Sequence, residues 1–127
     1  MKNWNNNYEI GHEHIDDHHE EVFQLTNMLD QAIEDNSRTK INDIILYLEH
    51  YVVDHFKEEE TLMKNHNFAE YQEHYNEHCV FIELVKNLRS LYNEGIHTTH
   101  VILKIRQLID KLMHHIITID SKMARLT

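Results

Sequence analysis

Apolar residues return every three or four positions along four long stretches of this chain, and three short polar breaks separate the stretches. The breaks are Asp35-Asn36-Ser37-Arg38-Thr39, Asn65-His66-Asn67 and Asn93-Glu94-Gly95, which hold turn formers, N-caps and a glycine suited to close a helix. The spacing predicts helices over roughly 13–35, 40–64, 69–93 and 97–120, each on the order of 35 Å long. Residues 1–12 read as an irregular arm, with Trp4, Tyr8 and Ile10 able to pack on the helices. The expectation is one all-α domain over 1–127. Its architecture would be an antiparallel up-down-up-down four-helix bundle with an N-terminal arm.

Placing residues about 100° apart around an axis tests each helix. In the second, Ile41, Ile45, Leu48, Val52, Leu62 and Met63 form one stripe, and His55 and Glu59 fall inside it. Glu58 and Glu60 lie to either side, as solvated carboxylates should. In the third, Tyr71, Phe81, Ile82, Val85, Leu88 and Tyr92 share a stripe with His74 and His78. In the fourth, Val101, Ile105, Leu108, Leu112, Ile116 and Ile119 set the stripe; His115 sits on its margin and His114 points away. Ile15, Val22, Thr26, Leu29 and Ile33 centre the first helix. His18 and His19 straddle that centre, and periodicity does not choose between them.

Composition narrows the function. A formal charge of −10 argues against nucleic acid and against an anionic membrane surface. There is no apolar run of membrane-spanning length and no apolar stretch near Met1 to act as a signal peptide. The single cysteine, Cys79, excludes a disulfide framework and suits a reducing compartment; off the apolar stripe, it reads as a small packing residue. A cytoplasmic protein is expected.

The 13 histidines matter through their positions. A carboxylate facing a core costs several kcal/mol unless paired, protonated or bound to metal. No lysine or arginine shares the stripe of Glu59 within a turn; its inward neighbours are histidines. His55/Glu59 and His74/His78 each have i,i+4 spacing, so both members face one way. Imidazole with carboxylate suits iron, zinc, manganese or copper, and five histidines exceed what one tetrahedral zinc needs. A binuclear site follows. The ferritin-like plan needs Glu-x-x-His inside two helices, and the only matches, Glu9/His12 and Glu94/His97, fall in the arm and across Gly95. His12, His14, His18, His50, His66, His97, His100 and His114 read as surface or turn residues. His14 and His18 are also four apart and able to take adventitious metal.

Four fragments in order give the chain a resemblance to the single-domain bacterial hemerythrins: Ile15-Asp16-Asp17-His18-His19, His55-Phe56-Lys57-Glu58-Glu59-Glu60-Thr61-Leu62-Met63, His74-x-x-x-His78, and His115-Ile116-Ile117-Thr118-Ile119-Asp120. The resemblance implies two iron ions and selects His19 over His18. His74, His78 and His115 would hold one ion, and His19 and His55 the other. Glu59, Asp120 and an oxo or hydroxo group would bridge them. It also implies reversible binding of dioxygen at the ion with two histidines, in a pocket lined by Phe56, Leu112 and Ile116, by a monomeric carrier that is not an enzyme. Nitric oxide is an alternative ligand; a di-iron oxidase, an oxygen or iron sensor and an iron donor are the rival functions. Lys111 stands where the family usually has tryptophan, which would leave the iron more open and speed autoxidation.

Overall fold

A computed structural model describes residues 4, 8–95 and 98–126, without the side chains of 125 and 126. His97, the expected first residue of the fourth helix, lies outside the described residues, as do 1–3 and 5–7 of the arm. Four helical rods make the bundle. The first is α1 (Glu13–Glu34); the second runs from α2 (Arg38–His50) through a π-turn (Tyr51–His55) into α3 (Phe56–Asn65). The third is α4 (Tyr71–Asn93). The fourth is α5 (Thr98–Thr118), followed by a 3₁₀ segment (Asp120–Leu126).

The breaks act as their residue types dictate. Asn36 takes a left-handed φ of 50°, and Ser37 then caps α2 by accepting from the Lys40 N–H. Asn67 does the same at φ 51° after α3, and the Phe68 N–H returns to the Met63 carbonyl. Gly95 closes α4 at φ 73°; a Cβ there would meet nothing, so the glycine answers to backbone angle and not to space. These short turns make neighbouring rods antiparallel. α1 packs on α2 and α5, and α4 packs on α2, α3 and α5.

Two apolar clusters hold the rods. The larger runs through Val22, Leu29, Ile45, Leu48, Phe81, Ile105 and Leu112, all buried. The smaller, of Ile10, Ile15, Met63, Phe68 and Met123, ties the arm, α1, α3 and the 3₁₀ segment together. Trp4 and Tyr8 close on Phe23 with ring centroids 5.5 and 5.8 Å away, so these two residues pack on the helices as expected. Asp16 latches it by accepting from the N–H groups of Ile10 and Gly11. One stripe residue is corrected: Ile33 is 41% exposed, because α1 buries Leu29 and Ala32 and ends at Glu34. Cys79 is exposed, so it is not a packing residue. Among the described residues, no helix is long and apolar enough to cross a membrane.

Candidate metal centre

Each rod delivers polar side chains to one buried place. α1 supplies His19, the π-turn His55, α3 Glu59, α4 His74 and His78, α5 His115 and the 3₁₀ segment Asp120. All seven are buried, at 0–1% exposure. The structure thus brings together every candidate ligand read from the sequence. π-turns recur at functional sites, and this one carries His55. Asp120 reaches inward because α5 stops at Thr118. A continued α-helix would have turned it away from His115, whereas the break at Ile119 lets its carboxylate come within 2.9 Å of His115 Nε2.

The five imidazoles all present Nε2 inward, and the two carboxylates divide their oxygens between them. Asp120 Oδ1 lies 2.7 Å from His74 Nε2 and 2.9 Å from His115 Nε2, while Glu59 Oε1 lies 3.1 Å from His78 Nε2 and 3.5 Å from His74 Nε2. The other two oxygens face the remaining pair. Glu59 Oε2 lies 2.6 Å from His19 Nε2 and 3.0 Å from His55 Nε2, and Asp120 Oδ2 lies 3.0 Å from His19 Nε2. One side therefore has three imidazoles, the other two, and both carboxylates serve both sides.

This donor set fits a pair of first-row ions. Donors about 2.1 Å from an ion and at right angles to one another lie about 3 Å apart, the spacing found here. Glu59 Oε1, both Asp120 oxygens and the Nε2 atoms of His74, His78 and His115 are buried without a hydrogen-bond partner in the protein. Polar atoms so placed are costly unless something else binds them. The electrostatics agree. Burial opposes charge on His19 and His115, yet Asp120 together with Glu59 (and, for His115, Glu77) outweighs it and lifts both to about 10; Asp120 and Glu59 raise His74 to about 9 against the same burial. Burial holds His55 below its ordinary value. Burial pushes Glu59 up, but His55 and His19 bring it well below the usual range; His115 and His19 do the same for Asp120. Two ionised carboxylates in an apolar interior thus demand positive charge.

The outward nitrogens show what sequence reasoning missed. His78 Nδ1–H donates to Glu60 over 2.8 Å, and His115 Nδ1–H to Glu77 over 2.7 Å. His55 Nδ1 meets His18 Nδ1 at 2.9 Å. Glu60 is not a merely solvated carboxylate, nor His18 a bland surface residue. Metal-binding histidines usually need such partners, so a search for acids flanking each helix stripe was the available signal. Tyr51 was missed too. Its ring stacks on His55 at 4.4 Å between centroids, and its hydroxyl is buried without a protein partner. A cleft of about 120 Å³ bordered by His18, Tyr47, Tyr51 and His55 opens on that side.

Phe56, Leu112 and Ile116 are all buried in the larger cluster, with Phe56 flat against His78 at 3.8 Å. Lys111 is exposed. Its amine lies 5.9 Å from the Phe81 ring centre, and that buried ring meets His115 edge-on at 5.3 Å. Lys111 therefore sits on the three-histidine side of the centre.

Comparison with known proteins agrees with this geometry. The family model for the hemerythrin HHE cation binding domain matches residues 10–127. The chain is similar to a bacteriohemerythrin of Methylococcus capsulatus, 31% identical over 80 residues that make 63% of this chain and 61% of that protein. It is similar to a bacteriohemerythrin of Clostridium acetobutylicum, 31% identical over 88 residues (66% and 68% of the two chains). A myohemerythrin of Sipunculus nudus matches more of its length, 27% identical over 120 residues, or 94% and 88%. The match spans 61% and 60% of the bacteriohemerythrins of Methylococcus capsulatus and Pseudomonas paraeruginosa. No solved structure gives a significant match.

Proposed function

The chain belongs to the hemerythrin HHE cation-binding family, and from that premise we propose that it is a reversible dioxygen carrier built on two iron ions. His74, His78 and His115 would hold one ion, His19 and His55 the other, and Glu59 and Asp120 would serve both. The observation that carries the proposal is the division of both carboxylates between three imidazoles on one side and two on the other. The side of His19 and His55 has one imidazole fewer, and a small ligand would find room there. An iron pair supplies reversible two-electron exchange with dioxygen. The protein's part is to orient and to keep dry. Glu60 and Glu77 fix the ring orientation and inward Nε2 of His78 and His115, while Phe56, Leu112 and Ile116 exclude water from the pocket. We place the protein in the cytoplasm as a monomer of one domain, binding and not transforming its ligand.

Reducing the iron-loaded protein without air, admitting oxygen and then removing it tests the reading. Repeated appearance and loss of the visible band that accompanies oxygenation supports a carrier. Irreversible conversion to the ferric form, or one zinc per chain on metal analysis, overturns it. Tyr51 favours a second reading, a di-iron oxidase that also reacts with nitric oxide, because its buried hydroxyl, kept protonated by burial and by Glu59, stands beside His55 with a hydrogen bond to offer a small ligand. Steady turnover with an added reductant would mark that activity.

A further inference from the structure

A second group of metal-type donors faces solvent on the two-histidine side. His14 and His18 stand one turn apart on α1, with ring centroids 4.3 Å apart, and Glu58 reaches them from α3. His14 Nδ1 lies 2.7 Å from Glu58 Oε1, and donor atoms of all three residues fall within 4.8 Å of one another. Donors on one tetrahedral ion lie about 3.4 Å apart, so modest rotations of the His14 and Glu58 side chains would close the set. His12 is a poorer candidate, since its Nδ1 caps α1 by accepting from the Ile15 N–H. The net charge of −10 concentrates cations around the chain.

His18 also ties this group to the buried centre through its 2.9 Å contact with His55. With an ion on His55 Nε2, as proposed above, its Nδ1 would carry the proton and donate to His18 Nδ1. That leaves His18 Nε2 as the nitrogen available to an outer ion. We propose that His14, His18 and Glu58 form a surface site for a divalent first-row cation, which communicates with the buried centre through the His18–His55 hydrogen bond. An ion held on His18 Nε2 would stand one ring away from His55, joined to it by the 2.9 Å His18–His55 contact.

The site itself stands on its own geometry; the communication rests on His55 being a ligand as proposed above. Zinc titrated calorimetrically into the oxidised, iron-loaded protein tests both. The expected result is one further zinc per chain, weakened tenfold or more in His14→Ala and in Glu58→Gln, with a shift of the iron absorption that His14→Ala abolishes. His14 is exposed, so this variant should melt as the parent does. Absence of the extra zinc, or its persistence in His14→Ala, overturns the site. A His14-dependent zinc that leaves the iron absorption unmoved overturns the communication. Neither result bears on reversible oxygenation, which is read separately.

Discussion

Strip the metal with a chelator, return the protein to pH 7 and titrate ferrous iron back without air. In the stripped chain His19 and His115, lifted to about 10, and His74, lifted to about 9, hold protons at pH 7. His55 is neutral because burial lowers it, and Glu59 and Asp120 are ionised. Iron needs unprotonated Nε2 atoms, so loading displaces about three protons, one from each raised histidine. Each displaced proton makes the apparent affinity depend on pH by about 1.4 kcal/mol per unit; three make about 4 kcal/mol, on the order of a thousandfold per unit from pH 7 toward 9. Calorimetry in two buffers of different ionisation enthalpy counts the protons directly. A bridging water that ionises adds to the count. A count of one or fewer refutes the reasoning, because the carboxylates would then not be holding protons on the histidines.

The same three histidines govern the stripped protein's stability. Their folded values lie above the ordinary 6.5, so their contribution is complete below about pH 6.5 and is lost as pH rises through 9–10. A lower melting temperature at pH 9.5 than at pH 7, absent in the iron-loaded protein, is the expected result. Tyr51→Phe removes a buried hydroxyl with no protein partner and should raise stability by about 1–3 kcal/mol; a lowered melting temperature refutes that. Glu77→Ala frees the His115 ring and should cost roughly 10–100-fold in iron affinity, as Glu60→Ala should through His78, read by competition with a chelator. Lys111→Trp should change the autoxidation rate less than the sequence suggested, because buried Phe81 already lies against His115 there; a tenfold slowing would show that Lys111 governs access.

His55, Glu59, His74 and His78 were legible in the sequence because they lie in helical segments, where a fixed angle per residue turns spacing into direction. His18 and His19 defeated that test by sitting on either side of the α1 stripe. The structure buries His19 and leaves His18 as the outer partner of His55. Asp120 was invisible to periodicity for a different reason: it belongs to the segment after α5 ends, where the angle per residue changes. Glu60 and Glu77 sit off the apolar stripes among other charged residues. Their place flanking the stripes marks them as candidates, and their contacts with His78 and His115 single them out.

The 3₁₀ segment that carries Asp120 has a further consequence. Coordination through His19 and Asp120 would close a loop of about 100 residues, and a covalent link over such a span constrains the unfolded chain by roughly 4–5 kcal/mol. With Cys79 as its single cysteine, this protein has no disulfide to do that. The proposed ions would take the role of a removable cross-link, joining the first rod to the last and fastening the end of the chain. Iron loading should therefore set resistance to fraying and proteolysis as directly as it would set the proposed capacity to bind oxygen.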